Sequence, residues 1–167
     1  MVVVVMGVSG AGKTTVGTLL ASGLRWRFVD ADDFHPDVNI RKLVAGTPLT
    51  DEDRAPWLAA LRCEVERWLA RGESVVLACS ALKQAYRDVL ARPGDDVRWV
   101  YLKVPAEVVA PRLASRRGHF ASADILESQF HALEEPADAV VVDGTLPPRE
   151  VAARARQALG LTSERGP

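Results

Sequence analysis

The residues Gly7-Val8-Ser9-Gly10-Ala11-Gly12-Lys13-Thr14 match the pattern GxxxxGK[ST] at every fixed position. Glycines at these places let the backbone fold around an anion with its N–H groups pointing inward, and a helix beginning near Lys13 presents its positive dipole end to the same anion. Lys13 adds a mobile positive charge, and the Thr14 hydroxyl suits a magnesium ion bridging the outer phosphates of a nucleotide. Gly7, Val8, Ser9, Gly10, Ala11, Gly12, Lys13, Thr14 and the adjoining Thr15 are therefore the expected nucleotide-binding residues, with Mg-ATP as the implied cofactor. A bland glycine-rich turn is the alternative, but an apolar run before the loop and a helical pattern after it favour the phosphate cradle. The dinucleotide fingerprint GxGxxG is not met, because these glycines fall as GxxGxG and are followed by Lys13.

A second chemical cluster follows in Phe28-Val29-Asp30-Ala31-Asp32-Asp33. Carboxylates at the carboxyl end of a strand lie on the edge of a parallel sheet where substrates bind. Asp30 and Asp32 are two apart on an extended segment and can share a side, Asp30 toward the water shell of magnesium and Asp32 toward an acceptor hydroxyl. Read locally, the same cluster also fits a polar turn. Arg112 and Arg116, four apart on a predicted helix, can project from one face toward ATP phosphates. A guanine-reading NKxD motif is missing, since the only Asn is Asn39 and Ile40 follows it. The apolar run Val75 to Cys79 leads into Ser80 rather than into the acidic residue usual in remodelling ATPases.

Positioning these groups requires a scaffold. Apolar runs at Val2 to Met6, Arg27 to Asp30, Ser74 to Cys79, Val97 to Val104 and Ala139 to Asp143 are each followed by helical periodicity, which predicts an α/β fold with a five-stranded parallel sheet covered on both faces. The runs VVVVM and VVLAC fit central strands. Thr50-x-x-Asp53 predicts a capping box ahead of a helix over Arg54 to Arg71, Pro105 and Pro148 suit first-turn positions, and Gly72 and Gly160 suit helix stops. The stretch 117–136 interrupts the alternation and is a candidate lid, beginning at Gly118-His119-Phe120; residues 162–167 read as a frayed tail. A chain of 167 residues, 48% apolar and 26% charged, makes one kinase-sized domain over residues 1–161. A net charge of -1 gives no field for nucleic acid or an anionic membrane. Cys63 and Cys79, without a CxxC or a His partner, read as reduced buried thiols, and the short Val2 to Met6 run has no leader character, so the cytoplasm is the expected compartment.

Several segments taken together resemble the gluconokinase family of small sugar-acid kinases: GVSGAGKTT, DADDFHP, GTPLTDEDRAPWL, CSALKQAYRD, YLK, and RLASRRGHF followed by SQFHALEEP, spanning residues 4–143. The resemblance implies a nucleoside-kinase-like three-layer sandwich with a small helical lid, ATP-dependent and magnesium-dependent phosphorylation of D-gluconate to 6-phospho-D-gluconate, and a homodimer. It assigns Asp32 to orient or receive the acceptor hydroxyl, with Lys13 and Arg116 also catalytic, His35 beside Asp32, and Asp30 and Thr14 near the metal, Asp30 through water. Arg54, Lys83 and Arg87, in PLTDEDR and CSALKQAYR, are candidates for the gluconate carboxylate or the transferring phosphoryl group. One departure from the family pattern is the join between Glu135-Pro136 and Ala139, a few residues short in the region expected to meet adenine. The rival acceptors for such a kinase are shikimate and nucleoside monophosphates. The rival from another class is a nucleotide-binding protein without rapid transfer.

Overall fold

A computed structural model of the chain describes residues 1–114 and 123–161. The all-apolar segment β1 (Val2–Met6) is wholly buried at the centre of a parallel sheet of order β2-β3-β1-β4-β5. The other strands are β2 (Arg27–Asp30), β3 (Val75–Ala78), β4 (Val97–Lys103) and β5 (Ala139–Asp143). Strands β1, β2 and β5 keep their predicted bounds, while β3 and β4 end short of the apolar runs that announced them. Both all-apolar runs lie inside the sheet, as burial on two faces requires, and the partly exposed β2 and β5 form its edges.

Alternation along β1 divides the core. Val3 and Val5 pack with residues of α1 (Lys13–Leu24), α5 (Ala106–Ala114) and α7 (Pro148–Ala158), among them Leu20, Val109 and Val151. Val2, Val4 and Met6 face α3 (Asp51–Ala70) and α4 (Gln84–Leu90), through Trp57, Leu61, Trp68 and Leu90. The predicted capping box is present: Thr50 Oγ1 accepts from Asp53 N at 3.2 Å, and Asp53 Oδ2 accepts from Thr50 N at 3.0 Å, so α3 starts at Asp51, three residues earlier than the apolar pattern indicated. Pro148 takes the first turn of α7, whereas Pro105 stands just ahead of α5. Helices α2 (Asp37–Val44) and α6 (Ala123–Ala132) complete the chain order.

The two cysteines differ. Cys79 is buried, and burial pushes its thiol up to about 12, which makes it inert. Cys63 is exposed on α3, correcting the expectation that both would be buried. No helix among the described residues is long and apolar enough to cross a membrane. All five strands run the same way, so the segments after β1, β2 and β3 converge on one sheet edge.

Candidate active site

The segment after β1 is the glycine-rich loop. Gly10 has φ +80°, and a Cβ there would lie 2.8 Å from Val109 Cγ1, so both conformation and space require glycine. Gly12, at φ +100°, is the N-cap of α1 and supplies no side-chain cap, which leaves the first N–H groups of the helix for another acceptor. Lys13 Nζ donates to Val8 O at 3.0 Å, which curls the ammonium back over the loop.

The segment after β2 brings up the carboxylates. Thr14 Oγ1 donates to Asp30 Oδ2 at 2.9 Å, and Asp30 Oδ1 accepts from Asp32 N at 3.2 Å, so Asp30 caps the 3-10 turn Ala31–Phe34. Asp30 and Thr14 thus form a pair of hard oxygen donors beside the loop. Among the described residues no group of three or more His, Cys, Asp or Glu could hold a metal alone. A magnesium ion that takes most of its ligands from phosphate and water needs only such a pair.

Asp32, by contrast, is solvated: its side chain is 83% exposed and turns into a cavity shared with Ser9, Lys13, His35, Arg54, Trp57, Ser80 and Gln129. His35 is stacked on Trp57, with ring centroids 4.4 Å apart, and Trp57 Nε1 donates to Ala31 O at 2.7 Å, tying the wall of the cavity to the 3-10 turn. His35 Nε2 lies 3.9 Å from Asp32 Oδ1. Burial holds the His35 pKa below its ordinary value, opposed by Asp32 and aided by Arg54. Because the unfolded imidazole protonates first as pH falls, burial of this ring costs the fold stability as pH drops from the ordinary histidine range through the lowered His35 value, and costs nothing above that range, where the ring is neutral in both states.

Across the loop, a second cavity is lined by Gly10, Ala11, Gly12, Thr15 and Arg112 together with Gly144 and Leu146. Arg112 Nη1 donates to Gly144 O at 3.0 Å, so the guanidinium stands at the wall of this cavity. Arg116 and Gly118-His119-Phe120, the expected start of a lid, lie outside the described residues.

The three remaining basic candidates separate. Arg54 lines the Asp32 cavity, its Nη1 donating to Leu49 O. Lys83 is not among the lining residues; Asp51 holds it at 2.7 and 2.9 Å, and Tyr86 donates to the same carboxylate. These bonds, from Lys83 first and Tyr86 second, keep the Asp51 carboxyl below its usual range. Arg87 corrects the expectation outright. It is buried, its Nη1 bonds Ala81 O at 2.9 Å and Leu82 O at 3.0 Å, and it pins the segment after β3 rather than facing the cavity. Arg87→Met is expected to leave the buried Ala81 carbonyl without this donor, at about 1–3 kcal/mol, while Leu82 O keeps its bond from Glu134 N, and to lower the unfolding midpoint in urea with the acceptor KM of the folded fraction unchanged. A raised KM with normal stability would return Arg87 to the substrate site.

Sequence reasoning passed over three residues. Gln129 of α6 grips the loop, its Oε1 accepting from Ser9 N at 2.6 Å and its Nε2 donating to Ser9 Oγ at 2.9 Å. Asn39 of α2 is buried behind His35. Trp57 lay within a motif, but its stacking on His35 depends on how α3 meets the 3-10 turn.

A protein-family model described as an AAA domain matches residues 2–140. The chain is 47% identical over 137 residues to the gluconokinase of Gluconobacter oxydans strain 621H, covering 81% of this chain and 76% of that one. The chain belongs to the gluconokinase family. Its structure superposes on the crystal structure of a gluconokinase from Sinorhizobium meliloti 1021 with a TM-score of 0.83 and 43% identity, over 95% of this chain and 90% of that one. Shikimate kinase from Aquifex aeolicus shares the family's fold alone, at a TM-score of 0.67 and 20% identity over 99% of this chain and 100% of its own.

Proposed function

We infer that this chain transfers the γ-phosphoryl group of ATP to the terminal hydroxyl of D-gluconate, giving 6-phospho-D-gluconate and ADP. One geometric observation carries the reading: the phosphate loop is a wall of two cavities at once, Ser9 and Lys13 facing the side of Asp32 and Gly10 to Gly12 facing the side of Arg112. A phosphoryl group held on the loop therefore stands between a nucleotide and an acceptor. Family membership at this level of identity supplies the acceptor, whereas the likeness to shikimate kinase extends only to the fold.

In the proposed reaction the acceptor hydroxyl approaches Asp32, which aligns it and takes its proton as the new O–P bond forms and the bond between phosphorus and the β,γ-bridging oxygen breaks. Lys13 leaves Val8 O to follow the charge onto the transferring group. Arg54 holds the gluconate carboxylate at the other end of the cavity. Thr14 and Asp30 would hold a magnesium ion, Asp30 through water, and that ion neutralises the phosphate oxygens when bound. The stretch 117–136, whose described part includes α6, is the proposed lid that keeps water from competing for the phosphoryl group.

Coupled ADP release with Mg-ATP against D-gluconate, related sugar acids, shikimate and nucleoside monophosphates tests this reading. Release with gluconate alone is expected. A preference for shikimate or a nucleotide would overturn the acceptor, and release without any acceptor would make the protein an ATPase.

A further inference from the structure

Behind His35, in the wall of the proposed acceptor cavity, lies a buried amide with an unusual balance of contacts. Asn39 is 1% exposed, and both of its hydrogen bonds run through Nδ2: one to Asp53 O at 2.7 Å, the other to His35 Nδ1 at 3.4 Å. Its Oδ1 is buried without a partner. An orphaned buried carbonyl costs about 1–3 kcal/mol, so a role confined to stability accounts poorly for this asparagine. Its two N–H donors are what the site uses.

Their direction is fixed. Turning the amide over would set Oδ1 against Asp53 O, acceptor against acceptor, so the NH2 group must face His35. The imidazole nitrogen it meets must then accept. A neutral ring has one donor nitrogen and one acceptor nitrogen, so an accepting Nδ1 puts the proton on Nε2, the nitrogen that faces Asp32. Stacking on Trp57 fixes the plane of the ring, and turning it over within that plane would set carbon atoms against Asn39 Nδ2 and Asp32, losing both polar contacts.

We propose that Asn39 is a positioning residue that holds His35 as its Nε2–H tautomer, so that His35 presents a neutral hydrogen-bond donor to an oxygen of the acceptor beside Asp32. The inference rests on the kinase reading above for the identity of the acceptor. Asp32 supplies an acceptor of hydrogen bonds, His35 a donor, and a hydroxyl, which both donates and accepts, satisfies the pair together. A sugar-acid hydroxyl is thereby distinguished from an apolar group of the same size, which would leave both partners unpaired.

Nitrogen-resolved NMR of the imidazoles in the wild-type protein, with His35→Gln to assign the signal, reads the tautomer without reference to turnover. Nδ1 is expected unprotonated and Nε2 protonated at neutral pH; a proton on Nδ1 overturns the proposal. Asn39→Asp replaces the donor facing Nδ1 by an oxygen and, measured at a pH where NMR shows the ring to carry a single proton, is expected to have that proton on Nδ1 and to raise the gluconate KM about tenfold, the size of one lost hydrogen bond, with the ATP KM unchanged. A moved proton with an unchanged gluconate KM also overturns it. Should Asn39→Asp fail to fold, His35→Leu and His35→Gln decide: leucine is expected to raise the gluconate KM about tenfold and glutamine, whose amide N–H reaches the place of Nε2–H, to recover most of the loss. Equal losses in the two variants would count against a donor role. If the wild-type protein phosphorylates another acceptor, the gluconate assignment fails while the NMR result still decides the tautomer.

Discussion

Asp32→Ala is expected to lower kcat for gluconate phosphorylation by about 10²–10⁴, the range for removing a positioned proton acceptor, with the ATP KM little changed. The two cavities lie on opposite sides of the loop, and Asp32 lines only the one that takes the acceptor in the proposed reaction. With its side chain 83% exposed, Asp32 adds almost nothing to the core, so the variant folds and the loss is chemical. Asp32→Asn separates orientation from charge. An amide can still accept a hydrogen bond from the hydroxyl but takes no proton, and phosphoryl transfer leans on positioning more than on basicity. The asparagine variant is therefore expected between wild type and alanine in single-turnover measurements. Near-normal turnover in the alanine variant would remove Asp32 from the mechanism.

The scaffold was legible because its signals are local and redundant. An all-valine run followed by GxxxxGK[ST] fixes a central strand, a loop and a helix start together, and the Thr50 capping box starts α3 as its spacing says. Asp30 and Asp32 were legible as candidates because a strand end places them at the substrate edge. The proposed division of labour between them, already read from their spacing, is supported by the geometry: Asp30 is engaged by Thr14 and the Asp32 amide, while the Asp32 carboxylate is open to an incoming hydroxyl.

Basic residues were harder to read, since charge alone says nothing about direction. Arg54, Lys83 and Arg87 look alike in sequence, yet Arg54 lines the cavity, Lys83 is held by Asp51, and Arg87 turns inward to two backbone carbonyls. That last fate depends on Ala81 adopting φ +43°, part of a bend no motif announces. Gln129 and Asn39 act through contacts 120 and 14 residues away, to Ser9 and Asp53, and such pairings exist only once the helices are docked.

Lys13→Met is expected to cost about 10²–10³ in kcat, comparable with losing one preorganised donor to a transition-state oxygen. The substitution keeps most of the aliphatic stem and removes the ammonium, and the loop keeps its shape because Gly10 and Gly12 set its conformation through the backbone. The Val8 carbonyl that now accepts from Lys13 Nζ lies in the loop itself, so the ammonium already stands beside the loop expected to hold the phosphates. Backbone N–H groups at the start of α1 remain available to the nucleotide, so its binding should weaken less than turnover falls. Lys13→Arg is not expected to rescue the enzyme, because a planar fork cannot follow the charge as a compact ammonium does. Pre-steady-state measurement of the chemical step, alongside equilibrium nucleotide binding, distinguishes these effects. Equal losses in binding and in chemistry would mean that Lys13 only anchors the nucleotide. A loss concentrated in the chemical step places its charge on the phosphoryl group in flight.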